Sequence, residues 1–324
     1  VASYFIIFEK GFKKTSGGRP GIIARLVICG ISVRVESVKR PGIGKELYRK
    51  NSNFGLMQVV DSPTGDIRYY LNDYLTQNIF DPIEDKSLTV FTYMLHGLTH
   101  AYHPTPEKVL CIGLGVGIVP MQLTEEGSKL DVVEINPGVV EVGEKFFGLD
   151  QSKFDLHLED GRYFLNASKE TYDVVILDAF LGDSSPSHLM SRECFESMSH
   201  RMKNDSVLVI NAFGHFDEGE DFFMASLDKT LRSVFSSVRI HDGTRGNVFF
   251  VASKKEDLKP HRSMDMSQVH PKLKPFVETA WKNTIEANPE SGIILTDNYN
   301  PVEYYDAKIR EEIRLNFALN MRGN

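Results

Sequence analysis

Residues 108–117 read KVLCIGLGVG, and their reading decides the fold. Lys108 to Ile112 is an apolar run of strand length. Gly113, Gly115 and Gly117 follow at alternate positions, as in a turn where the backbone bends tightly and lets a ligand come close. A helix is expected next, with its N-terminal amides turned toward an anion or polar group. Outward from this unit the alternation continues. LDVVEI (130–135) is a second strand, and a helix over 137–147 opens on Pro137. FDLHLED (154–160), YDVVILDAF (172–180) and SVLVINAF (206–213) are further strands, with a helix over 191–203. A helix over 219–233 and strands over 237–241 and 247–252 complete the series. Strands that are apolar almost throughout, alternating with helices, imply a parallel sheet covered on both faces. The fold class is therefore α/β, a doubly wound sheet.

Upstream, LMQVVDSPTGDIRYYLND alternates apolar and polar residues about Ser62-Pro63-Thr64-Gly65, which predicts a hairpin in a small antiparallel β domain. A helix is expected over 88–103. The expected divisions are a basic leader (1–45), the small β domain (46–85), the α/β domain (86–255) and a charged C-terminal extension (256–324).

Composition narrows the function. The 324 residues are 41% hydrophobic and 10% aromatic, which excludes collagen-like and disordered classes. Net charge is −7, so the chain as a whole does not favour nucleic acid. Residues 1–40 nevertheless carry +6 and the remainder −13; the leader reads first as an extra strand plus a solvated tail, and alternatively as a basic segment that touches a membrane surface or a partner. Its most apolar part, 21–33, is too short to span a bilayer, contains Arg25 and has no small-residue cleavage site; neither a transmembrane segment nor a signal peptide is expected. The first residue is Val1, as in a processed or trimmed product. Cys29, Cys111 and Cys194 are few, odd in number and far apart, the pattern of a reducing, cytoplasmic compartment.

Several residues carry chemistry by position. Glu134 ends the second strand 21 residues after Gly113, where a carboxylate can accept both ribose hydroxyls of a nucleoside. Asp160-Gly161 ends the third strand; Asp160 either accepts an adenine amino group or caps the next helix. Asp178 ends the fourth strand after four apolar residues and points at the cleft, where it can position an amine and take its proton. The loop beyond it, with Gly182, Asp183 and Pro186, reads as a cap. Ser184, Ser185 and His188 do not form a nucleophile elbow, which argues against a hydrolase. His96, His100 and His103 end a helix beside Pro104 with no carboxylate nearby in sequence, so no metal is expected.

These motifs, in this order, resemble the spermidine/spermine synthase family. The resemblance rests on KELYRKNSNFGLMQVVDSPTGDIRYYLNDYLTQ (45–77), PTPEKVLCIGLGVG (104–117), VVEINPGVVEVGEKFFGL (132–149), HLEDGRYFL (157–165) and YDVVILDAF with SSPSHLMSRECFESM behind it. LTDNYNPVEYY (295–305) is similar to a tail of bacterial spermidine-synthase-like proteins. The resemblance implies a Rossmann-like, methyltransferase-type sheet of seven strands behind the small β domain. It implies aminopropyl transfer from decarboxylated S-adenosylmethionine to a small-molecule amine, without metal. Glu134 would hold the ribose, Asp160 and Gly161 the adenine, Gln77 would match a family glutamine, and Asp178 would face the acceptor amine. A homodimer is the expected assembly.

The chain departs from the family pattern at three acids. Val116 stands in the glycine turn and Leu181 three residues after Asp178, where the family has Asp; Asp183 is the nearest replacement for the second. Tyr93 replaces the Glu of a helix segment that greets the polyamine. A methyltransferase using S-adenosylmethionine on the same scaffold is the alternative, and a catalytically idle adenosyl-binding protein is a third reading.

Overall fold

The computed structural model describes residues 44–180, 186–217, 220–243, 246–288 and 290–305. The basic leader, up to residue 43, and the lid residues Leu181 and Asp183 lie outside the described residues.

Five strands, β1 (Lys45–Ser52), β2 (Gly55–Asp61), β3 (Arg68–Asn72), β4 (Leu75–Asp81) and β5 (Lys86–Ser87), form an antiparallel sheet in chain order. The SPTG turn joins β2 to β3: Ser62 N donates to the Ile67 carbonyl at 2.7 Å, and Gly65 takes φ +75°. Helix α1 (Val90–Tyr102) leads into the main sheet. Then follow β6 (Lys108–Ile112), α2 (Ile118–Glu125), β7 (Lys129–Val133), α3 (Pro137–Phe146), β8 (Asp155–His157), α4 (Gly161–Ala167) and β9 (Tyr172–Leu177). The chain continues through α5 (Arg192–Arg201), β10 (Met202–Phe213), α6 (Phe222–Arg232), β11 (Ser237–Asp242), β12 (Asn247–Ser253), α7 (Lys274–Lys282) and β13 (Thr284–Ile285).

Strand order in the main sheet is β13-β11-β12-β10-β9-β6-β7-β8. Alternate residues of the central strands point to opposite faces, and each face has its own core. Val109, Cys111, Val174 and Ile176 pack against α1, α2, α3 and α7, together with Met57 and Val59 of the small sheet. Leu110, Ile112, Val175 and Leu177 pack against α4, α5 and α6. Every residue of β9 is buried, which is why this strand reads as one apolar run.

Two expectations need correction. The sheet is mixed, not parallel throughout: β10, β9, β6, β7 and β8 are parallel, but β12, β11 and β13 each run antiparallel to their neighbours. The four residues between β11 and β12 are too few for a crossover, so this pair is a hairpin. Nor does the sheet end near residue 255. Ile285 pairs with Ile240, adding β13 as an eighth strand beyond the seven that the resemblance implies. The described residues from Gly44 onward cluster as one unit.

The small sheet is pinned to the main domain. Arg68 forms a two-pronged pair with Asp61 and donates to the Phe146 carbonyl at 2.8 Å, satisfying a carbonyl in the last turn of α3. At the far edge, the ring of His241 stacks on Trp281, centroids 5.3 Å apart. Its Nε2 is 3.0 Å from the Tyr102 hydroxyl and its Nδ1 is 3.0 Å from the Trp281 carbonyl.

Candidate active site

A cavity of about 430 Å³ opens at the carboxyl edge of the parallel strands, between them and β4 of the small sheet. Gly113, Gly115, Glu134, Asp160, Gly161, Asp178 and Gln77 all line it. Among the described lining residues are four carboxylates (Glu134, Glu159, Asp160 and Asp178) and neither Lys nor Arg. Aromatic rings of Phe54, Tyr70, Phe91, Phe180 and Phe213 supply much of the remaining wall.

The glycine turn is required by space. Gly113 has φ +98°, and a Cβ there would lie 2.1 Å from the Asp178 carbonyl oxygen. Gly117, at φ +91°, caps the N-terminus of α2 and does not line the cavity; a Cβ there would meet Leu149 at 2.4 Å. Glu134 holds the turn from below. Its Oε2 accepts from Leu114 N at 3.0 Å and its Oε1 from Asn136 N at 2.7 Å. Burial raises its carboxyl above the usual glutamate range, with those amides opposing the shift.

Asp160 serves the capping role. Its Oδ1 accepts from the amides of Arg162 and Tyr163, both at 3.0 Å, while Oδ2 lies 2.8 Å from His188 Nε2. Burial would raise its carboxyl, but the amide bonds and His188 win and hold it below the usual aspartate range. A Cβ on Gly161 would lie 2.5 Å from Ile112 Cγ2, so glycine lets α4 begin against β6. The tail buttresses this turn. Arg162 makes a two-pronged pair with Asp297 at 2.6 and 2.5 Å, and Asn300 Nδ2 donates to the Ser187 carbonyl at 2.7 Å.

Asp178 is placed differently. Its amide donates to the Ile112 carbonyl at 2.9 Å, continuing the β6–β9 pairing one residue past the strand. Among the described residues, one side-chain bond holds its carboxylate, from Asn211 Nδ2 to Oδ1 at 2.9 Å. Asn211 in turn accepts from Asn247 Nδ2 at 2.9 Å. Burial pushes the Asp178 carboxyl up to about 6, with Asn211 opposing. Asn211, Asn247 and His188 were not singled out as binding residues. Asn211 had a visible signal: a polar residue at the carboxyl end of an apolar strand, beside Asp178 in the sheet.

A spermine/spermidine synthase domain model matches residues 88–242. Over these residues the chain is similar to the spermine/spermidine synthase family. The polyamine aminopropyltransferase of Vibrio vulnificus is 37% identical over 118 residues, 35% of this chain and 40% of that protein. That of Streptococcus pneumoniae serotype 4 is 26% identical over 204 residues, 61% of this chain and 69% of that protein. A crystal structure of spermidine synthase in complex with the transition state analogue AdoDATO matches with a TM-score of 0.56 at 20% identity, covering 73% of this chain and 89% of that one. At that identity the likeness shows the fold.

The departures from the family pattern can now be located. Val116 is buried (1% exposed) and lines a void of about 20 Å³ under the glycine turn, shared with Asp178 and Phe91. Tyr93, expected to face substrate or lid, does not line the cavity. It is buried, and its hydroxyl donates to the Ser87 carbonyl at 2.8 Å. Phe91, two residues earlier on α1, lines the cavity instead, because residues i and i+2 of a helix face opposite ways.

Proposed function

We propose that the chain transfers an aminopropyl group from decarboxylated S-adenosylmethionine to a small amine. The observation that carries this reading is the charge of the cavity: four carboxylates and, among the described lining residues, no Lys or Arg. A cationic sulfonium and a cationic amine both suit such a wall, whereas an anionic substrate does not. The donor would bring an activated carbon beside sulfur, and its sulfur is already a good leaving group. What the chain supplies is orientation.

Glu134 would accept the ribose hydroxyls through its remaining lone pairs while the Leu114 and Asn136 amides keep it in place. Gly161 leaves room for a flat ring. Asp160 already spends Oδ1 on capping, so an adenine amino group would have to share Oδ2 with His188. Asp178 is the base. Asn211 fixes one of its oxygens, and the other is left to orient the acceptor amine and take its proton. A carboxyl at about 6 is ionised at neutral pH and still more basic than an ordinary Asp.

One observation favours a second reading. The buried, apolar Val116 stands where the family has an Asp, and methyl transfer from S-adenosylmethionine needs no acid there. Incubating the protein with either donor and a panel of amines, then weighing the products, separates the two. Methylthioadenosine is the expected by-product; adenosylhomocysteine would replace this reading with the second, and neither product would remove both. Buried free thiols at Cys111 and Cys194 support a reducing, cytoplasmic setting. Light scattering tests the homodimer.

A further inference from the structure

The three histidines of α1 part company in the fold. His96 and His100 lie one turn apart on the same face, ring centroids 4.8 Å apart, while His103 caps the helix end. The missing carboxylate comes from another element. Glu126, at the C-terminal cap of α2, reaches between the two rings: its Oε1 is 3.0 Å from His96 Nε2 and its Oε2 is 2.5 Å from His100 Nε2. The imidazoles are largely buried, whereas Glu126 is 41% exposed, so the cluster opens to solvent on one side. One ligand atom from each residue lies within 4.8 Å of the other two. Three ligands about 2.1 Å from a tetrahedral ion stand about 3.4 Å apart, so modest side-chain rotation closes the set.

We propose that His96, His100 and Glu126 form a site for a divalent transition-metal ion of the zinc class, tying α1 to α2. None of the three lines the cavity, so the site is separate from the proposed transfer chemistry and does not depend on it. Two imidazoles and one carboxylate suit zinc, cobalt or copper; calcium and magnesium prefer all-oxygen sets. Ligation needs neutral rings. Arg262 is the unfavourable neighbour, donating to the His100 carbonyl at 3.1 Å, and the carboxylate of Asp265 lies close enough to feel both Arg262 and His96. Nδ1 of His100 is buried and has no partner among the described residues. A metal on Nε2 puts the proton on that unpartnered Nδ1, and a missing outer partner weakens such sites roughly 10- to 100-fold. The expected affinity is therefore lower, by about that factor, than for a site whose histidines are both held from behind.

The test is a cobalt(II) titration of the full chain after chelator treatment. One equivalent should bind, give the intense visible bands of a four- or five-coordinate site, and be displaced by zinc. His96→Ala and Glu126→Gln should each weaken binding at least tenfold. Zinc should raise the thermal midpoint of the unsubstituted protein but not of Glu126→Gln, which alters an exposed cap and keeps the fold. Transfer activity in Glu126→Gln should be unchanged. Absence of a saturable cobalt band, or a band that survives both substitutions, would overturn the proposal.

Discussion

Two turns at one edge of the main sheet present an aspartate to one cavity, and they treat it in opposite ways. At the end of β8, Asp160 is surrounded by donors: two amides of α4 and the His188 ring. Its charge is satisfied, and its carboxyl stays below the usual range. Past the end of β9, no helix amide among the described residues meets Asp178. Its one side-chain donor among the described residues is Asn211, and burial pushes its carboxyl up to about 6. Position at the carboxyl edge brings a residue to the site, but the supply of donors decides whether it is structural or basic.

The sharpest way to break this contrast is Asp178→Asn, which keeps the shape and removes the proposed base. Turnover should fall on the order of 10²–10⁴-fold with donor affinity nearly unchanged, and the loss should shrink at high pH, where more free amine is neutral. Near-normal turnover would make Asp178 no different in kind from Asp160. In the unsubstituted protein, turnover should rise with pH through about 6 as Asp178 loses its proton.

Next in size is Glu134→Gln. It weakens a hydrogen bond to a charged acceptor worth roughly 1.5–3 kcal/mol, so donor affinity should drop about 10- to 100-fold in a calorimetric titration. Unchanged affinity would mean that Glu134 only braces the glycine turn.

Stability should separate the two aspartates in sign. The folded-state pKa of Asp178 lies above its unfolded value of about 3.9. Its carboxylate thus weighs against the fold increasingly from about pH 4 to about 6, and fully above that. Asp178→Asn should melt higher than the unsubstituted protein at pH 8, with the gap closing toward pH 4; a lower melting point at pH 8 would refute the assignment. Asp160 is depressed, so its contribution is present at neutral pH and lost as pH falls through its folded value. The smallest effect is expected from Asp160→Asn. Asn caps helices about as well as Asp, so melting should shift by well under 1 kcal/mol, whereas Asp160→Ala should cost about 1 kcal/mol.

Much of this was legible in the residues. Apolar strands, three alternating glycines and an acid at each strand end place Glu134, Asp160 and Asp178 at one edge, because βα units bring strand ends together whatever the loops do. Relations between distant strands were not legible. Asn247 meets Asn211 only because β12 runs antiparallel to β10, and Glu126 reaches His96 only because α2 packs beside α1. The β13 strand, two residues long, leaves no periodic signal. Tyr93 was placed by its match to a family position, although its helical spacing from Phe91 puts it on the opposite face.

The stacking of His241 on Trp281 has an optical consequence. Trp281 is the only tryptophan of the chain, so its emission reports the seating of α7 on β11 and is blind to the cavity. Both nitrogens of His241 are engaged, and burial lowers its pKa to about 4, so the stacked ring stays uncharged across the range used for assays. Emission should therefore stay constant from pH 8 to 5, and a shift to longer wavelength in that range would signal that α7 has come away from the sheet and exposed the indole to water.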